Sequence, residues 1–272
     1  MSNSITTTPD LAAVKARQQA TWASGDYHAV AARIQITSEH LADSADLHAG
    51  WSVLDVAAGS GNTSIAAARL GTHVTGVDYV PSLLERGRER AKAEGFDIEF
   101  VEGDAEALPV DDASFDAVIS VFGSMFAPDH VKTAQEMLRA CRPGGTIAVA
   151  SWTPSGFIGQ MFKTISKHVP PPAGVQPPPL WGTEEHLREI FGDGIASLET
   201  EECTYTFRFT SAEELVDYFL TWYGPTNKAY AAASEPGALR EDLIALVNAN
   251  DRLGTGAVAV PSTYLEAVAR RR

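Results

Sequence analysis

Cysteine is scarce in this chain, with two among 272 residues, Cys141 and Cys203. They form no CxxC pair, so neither a zinc knuckle nor a disulfide framework is available, and they suit a reducing compartment. Positive charge is also short: 21 Lys and Arg stand against 35 Asp and Glu, for a formal net charge of −14. Such a chain repels phosphate backbones and anionic membrane surfaces, which argues against a nucleic-acid partner. The one dense basic run, Arg270–Arg272, reads as a solvated terminus. No stretch approaches the ~18 consecutive apolar residues that a membrane span needs. The opening MSNSITTTPD has neither the basic nor the apolar part of a secretory signal. No HxxxH pair and no cluster of carboxylates suggests a metal. These shortages lead us to expect a cytoplasmic protein.

What is present is an ordinary globular composition, 44% hydrophobic and 21% charged. The length suits one large α/β domain or two small ones. Residues 1–9 are polar and expected to be disordered. Helices are expected from Asp10 to about Ala23, with Asp10 as cap, and from Tyr27 to about Asp43. Strands and helices then alternate: strands at 53–56, 73–77, 98–101, 115–121 and 146–150, and helices at 63–70, 81–93 and 129–141. Arg142-Pro-Gly-Gly145 is read as the stop between the last helix and the last strand. Alternation of this kind argues for βαβ units and a parallel sheet covered by helices, with ligands at the carboxyl ends of the strands. Residues 153–181 hold seven prolines, a density that excludes a helix or a central strand and reads as an ordered excursion or lid. Beyond it come a helix at 183–191, a strand at 197–209, a helix opened by the capping box Ser211-x-x-Glu214 and a helix at 236–250. Periodicity leaves Tyr264–Ala269 as either a strand or a helix.

The stretch Val53–Ser64, VLDVAAGSGNTS, ends a buried strand with an acid and follows it with almost bare backbone. Glycine permits a turn with positive φ and lets a ligand approach closely. A nucleoside triphosphate site needs GxxxxGK[ST], and no lysine follows Gly61. A dinucleotide site wants GxGxxG or GxGxxA, and here Ser64 stands at the third position. An adenosyl ligand without a pyrophosphate is the remaining class.

At this point the chain resembles the class I S-adenosylmethionine-dependent methyltransferases, over roughly residues 50–152. Five landmarks carry the likeness in order: Asp55 with Ala57-Ala-Gly59-Ser-Gly61, Asp78 in VTGVDYV, Asp104 in GDAEALP, FDAVISVFGSMF, and the RPGG turn. Ala57 replaces the family's first glycine. The nearest branch holds the ubiquinone and menaquinone C-methyltransferases and many small-molecule methyltransferases, including those of secondary metabolism. The resemblance implies a Rossmann-like, mostly parallel seven-stranded α/β sheet with helices on both faces. It implies an N-terminal helical lid over 1–45, a core binding S-adenosyl-L-methionine over 46–152, and an acceptor-binding cap over 153–272 that completes the same domain.

The same resemblance implies site residues. Asp78 would accept from the ribose hydroxyls, Asp104 from the adenine amino group, and the Ala105 N–H would face a ring nitrogen. Ala57, Gly59, Gly61 and Asn62 would shape the glycine loop, with Tyr79 beside the ribose. Asp55 either shapes that loop or touches the cofactor. Ser120 and Phe122 end the fourth strand beside the methionine part. Trp22 and Tyr27, in Trp22-x-x-Gly-x-Tyr27, resemble segments that fold over the cofactor, or they are core aromatics. Phe122, Met125, Trp152, Trp222 and Tyr223 are the residues expected to face the acceptor, which aromatic residues in the cap suggest is apolar or aromatic; the same residues could fill the cap's own core. His28, His130 and His168 are the histidines placed where a base could stand, each equally readable as a surface residue, and no base is assigned. Two other functions stay open, a NAD(P)-dependent oxidoreductase and a non-catalytic S-adenosylmethionine-binding protein. So do a peptide acceptor and a homodimer.

Overall fold

The computed structural model describes residues 10–272; the disorder expected for residues 1–9 lies outside the described residues. Three helices open the chain, α1 (Leu11–Trp22), α2 (Tyr27–Arg33) and α3 (Gln35–Ser44). Asp10 caps α1 by accepting from the Ala13 N–H. The single helix expected from Tyr27 is broken at Ile34, whose N–H donates to the Ala31 carbonyl and whose own carbonyl takes the Thr37 hydroxyl. Those tight local bonds replace one turn of the α-helical ladder.

The alternating section follows as β1 (Ser52–Val56), α4 (Asn62–Arg69), β2 (His73–Asp78), α5 (Pro81–Glu94), β3 (Ile98–Glu102), β4 (Phe115–Val121), α6 (His130–Ala140) and β5 (Cys141–Trp152). A short 3-10 helix, Ser124–Phe126, lies between β4 and α6. β5 starts at Cys141, five residues before the expected strand. The Arg142–Gly145 turn is a bulge inside it: β4 pairs Phe115 with Cys141, then Ala117 with Thr146.

The third section is α7 (Phe157–His168), α8 (Glu184–Phe191), β6 (Ile195–Phe209), α9 (Ala212–Trp222), α10 (Gly224–Ala232), α11 (Pro236–Asn250) and β7 (Val258–Arg271). α7 corrects the expectation that the proline-rich region holds no helix. The prolines stand at 154, 170–172 and 177–179, and the stretch between them is free to coil, burying Phe157, Ile158 and Met161. α10 was not among the expected helices; Pro225 sits in its first turn. Tyr264–Ala269 is the middle of a long strand. The Ser211 hydroxyl accepts from the Glu214 N–H, as a capping box requires, while the Glu214 carboxylate accepts from Thr210 rather than Ser211.

The seven strands run in the order β3-β2-β1-β4-β5-β7-β6. The first five are parallel, and β7 is antiparallel to both β5 and β6. From β1 the chain moves outward through β2 to β3, then returns to place β4 on the other side of β1. Right-handed crossovers therefore put α4 and α5 on one face and α6 on the other. The order reverses between β1 and β4, and the strand tips there leave a crevice. The core runs through the sheet from Val53, Leu54 and Val56 to Ile147, Tyr264 and Ala269.

A glycine-to-alanine change inside a helix usually helps by ~1 kcal/mol. At Gly159 in α7 a Cβ would stand 2.3 Å from the Thr153 carbonyl oxygen and 2.7 Å from that of Pro154. Gly159→Ala is therefore expected to destabilise by ~1–3 kcal/mol, measured as a lower denaturation midpoint. An unchanged or raised midpoint would remove this account of α7's docking.

Candidate active site

A cavity open to solvent lies over the tips of β3, β2, β1 and β4. Its floor comes from the loops that follow those strands: Gly103–Ala105, Asp78–Val80, Ala57–Ser60 and Val121–Gly123. Asn62 and Thr63, at the start of α4, continue the floor, and Leu83 of α5 joins it. Its roof is Lys15, Gln18 and Trp22 of α1, Tyr27 and Ala31 of α2, and Ile34, Thr37 and Ser38 at the start of α3.

At the β2 tip, Asp78 is buried. Its two oxygens accept from Gly59 N–H and from Val80 N–H, each at 2.8 Å. Burial pushes its carboxyl up to about 6, against the backbone N–H groups that favour the charge. Each carboxylate oxygen has a second lone pair, so both stay available to a diol. At the β1 tip, Ala57 has φ 55°, and at the β4 tip Phe122 has φ 55°. Left-handed backbone costs an L-residue ~1–2 kcal/mol, and strain of this kind gathers at functional sites. Ala57 thus adopts the conformation that glycine takes freely. A Cβ on Gly123 would stand 2.5 Å from the Ala57 carbonyl oxygen, so the β1 and β4 tips abut. Above the loop, the Tyr27 ring lies 3.6 Å from where a Gly59 Cβ would be.

The roof is tied down at three points. Lys15 reaches Asp104 at 2.6 Å and Glu106 at 2.8 Å. Burial disfavours its charge, but the two carboxylates outweigh that and hold Lys15 above its usual value. Gln18 donates to the Phe126 carbonyl, and Gln19 to that of Tyr79.

The site residues expected from the sequence fall into two groups. The cavity wall includes Trp22, Tyr27, Ala57, Gly59, Asn62, Asp78, Tyr79, Asp104, Ala105 and Phe122. Asp55, Gly61 and Ser120 stand behind it. Asp55 is buried and accepts from the Ser64 hydroxyl at 2.6 Å. Gly61 caps α4 with φ 81°. The Ser120 hydroxyl donates to the Val56 carbonyl and accepts from Ser124 N–H, joining three segments below the floor. Trp152 stacks on Phe122 with centroids 3.9 Å apart, and Met125 is fully buried. Tyr223 packs edge-on to Trp22 at 5.5 Å, whereas Trp222 is well exposed at the end of α9. Among the three histidines, His28 alone touches the wall, with Nδ1 3.3 Å from the Ser60 hydroxyl. Burial first, and then Arg90, push His28 below its usual value. His130 pairs with His186 at 2.9 Å, and burial brings it down to about 4; His168 meets Asp242 at 2.8 Å. Lys15, Gln18, Ser60, Thr37, Ser38 and Thr63 were not foreseen. Lone lysines and hydroxyls on helices carry no pattern that marks them.

These features fit an adenosyl ligand: a bare loop under a ring, a buried acid with spare lone pairs, and a second acid one strand further out. Comparison with known proteins agrees. Residues 53–145 match the family model described as a methyltransferase domain. The chain is 43% identical over 231 residues to an uncharacterised protein of Mycobacterium tuberculosis strain H37Rv, covering 84% of each. It is 39% identical over 131 residues to the demethylmenaquinone methyltransferase of Deinococcus radiodurans, covering 47% of this chain and 54% of that one. Among solved structures, the YcgJ protein of Bacillus subtilis superposes with a TM-score of 0.60 at 18% identity, over 87% of this chain and 98% of that one. Residues 53–145 are a methyltransferase domain of the class I S-adenosylmethionine-dependent kind, and the relatives of this region include a quinone methyltransferase.

Asp55 gives a prediction with a definite sign. Burial raises its carboxyl from 3.8 to about 7, opposed by Ser64 and reinforced by Asp78. A raised folded-state value favours the protonated form, so its stabilisation is complete below pH 3.8 and is lost as pH rises through about 7. Asn in its place stays neutral throughout. The melting temperature of Asp55→Asn minus that of the unaltered protein should therefore grow between pH 5 and pH 8, by about 2 °C for each kcal/mol involved. A difference that stays flat would contradict this.

Proposed function

We propose that the chain transfers the methyl group of S-adenosylmethionine to a small, largely apolar or aromatic acceptor. The observation that carries this reading is the single cavity that joins Asp104, Asp78 and the glycine loop to the aromatic wall of Trp22, Tyr27, Phe122 and Phe126.

In this reading Asp104 and the Ala105 N–H receive the adenine edge. Asp78 receives the ribose diol, with Tyr79 beside it. Ala57, Gly59 and Asn62 leave space for the amino-acid end, while Asp55, Gly61 and Ser120 hold that loop and the β4 tip in shape. Phe122 faces the acceptor, backed by Trp152, while Tyr223 backs Trp22. The bound cofactor supplies an activated methyl on a sulfonium. The chain supplies alignment and a dry wall, worth ~7–11 kcal/mol in favourable intramolecular cases. Residues 10–45 act as the lid, 46–152 hold the cofactor, and 153–272 shape the acceptor side. Tyr27 has its phenol pushed up, chiefly by burial and then by Asp78, so it stays protonated and serves as wall rather than base. Demethylmenaquinone methyltransferase among the relatives supports quinones and phenols as the first acceptors to test.

The test is binding, then turnover. Calorimetry should give a one-to-one complex with S-adenosylhomocysteine, and Asp78→Ala should weaken it by about 10–100-fold, the loss of hydrogen bonds to a charged group. Tritiated cofactor should then label a phenol or quinol in preference to amines and peptides. Absence of any complex, or an Asp78→Ala variant with unaltered affinity, would remove the proposal.

A further inference from the structure

Arg90, on α5, lies behind the glycine loop and outside the cavity wall. Its guanidinium donates to the Ser60 carbonyl at 2.6 Å, to Asn62 Oδ1 at 2.7 Å and to Gln35 Oε1 at 3.0 Å. Asn62 Nδ2 passes the connection on to the Ala31 carbonyl at 2.8 Å, and Gln35 Nε2 donates to the Asn62 carbonyl at 3.1 Å. One side chain thus joins the floor of the cavity to its roof at the α2–α3 break.

All three acceptors of Arg90 are neutral. Among the described residues, no carboxylate lies within ion-pair distance of it, although the partly buried cation in the cavity wall, Lys15, holds two acids. Burial disfavours its charge; Glu94, itself paired with Arg69, opposes that, and Arg69 adds to the cost. The bonds it makes are ones an uncharged amide could also supply in part. A half-buried cation without a counter-charge is costly, and it is placed where a negative ligand would offset the cost.

The order of the strand tips says which negative group that is. Asp104 follows β3, Asp78 ends β2, and the glycine loop follows β1, the next strand in the sheet. A nucleoside with its base at Asp104 and its sugar at Asp78 carries its amino-acid end onto Ser60 and Asn62, the residues Arg90 holds. We infer that Arg90 is a positioning residue: it fixes the glycine loop against the roof and supplies the positive field that selects a cofactor bearing a carboxylate. This rests on the methyltransferase reading above.

The test compares S-adenosylhomocysteine with its decarboxylated analogue, S-adenosyl-3-thiopropylamine, by calorimetry. The unaltered protein should prefer the carboxylate form by about tenfold or more. Arg90→Met should weaken binding of S-adenosylhomocysteine by about tenfold more than it weakens binding of the cationic analogue. Arg90→Lys should keep most of the preference. Equal weakening of both ligands, or a preference that survives in Arg90→Met, overturns the inference and leaves the methyltransferase reading intact. Should Arg90→Met not fold, Arg90→Gln takes its place: the preference for S-adenosylhomocysteine should fall in Arg90→Gln and persist in Arg90→Lys, and a preference equal in the two overturns the inference. If neither ligand binds the unaltered protein, both readings fall.

Discussion

The site depends on one carboxylate, that of Asp78. It ends β2, yet one of its oxygens holds the N–H of Gly59 in the loop after β1, and the other holds the N–H of Val80 that opens the next loop. Two neighbouring strand tips are thereby locked together by charge-assisted bonds. Burial makes that charge expensive, and its carboxyl rises to about 6 in consequence. The acid is kept ionised by the donors around it, and further donors from a ligand would favour the same form.

Everything else in the cavity is arranged around that lock. Ala57 and Phe122 hold left-handed conformations on either side of the topological switch, where the two strand tips meet too closely for a side chain on Gly123. Ser120 fixes the β4 tip to the β1 tip from below. The roof is fastened to the floor by polar contacts at both ends, Lys15 to Asp104 and Glu106 on one side, the Arg90 and Asn62 bridge on the other. Between those fastenings the wall is aromatic, with Trp22, Tyr27, Phe122 and Phe126.

Much of this was legible because bare backbone and isolated acids stand out in a sequence. The glycine loop, Asp78 and Asp104 announce themselves, since no core needs a run of small residues after a buried acid. The parallel section of the sheet follows from strands and helices in alternation. The parts that were not legible lack such contrast. α7 was hidden because seven prolines were weighed over the whole of 153–181, although they stand at its ends. The break at Ile34 comes from local bonds of Thr37 and Ala31 that no apolar period reports. β7 gave no clear period because its polarity does not follow its burial: the buried positions include Ser262 and Glu266, and the half-buried ones Leu265 and Val268. Lys15, Thr37 and Ser38 are single residues whose importance comes from what a distant loop places opposite them. Arg90 escaped for the same reason: its partners are a carbonyl and two amides, so no charge pattern marks it.

The central claim is that a ligand's hydroxyls donate to an ionised Asp78. Calorimetry of S-adenosylhomocysteine near pH 6, in buffers of differing ionisation enthalpy, tests it most directly. If donors from the ligand reach Asp78, they lower its affinity for protons, and binding releases up to about half a proton per site. Zero linkage, or proton uptake, would contradict the account.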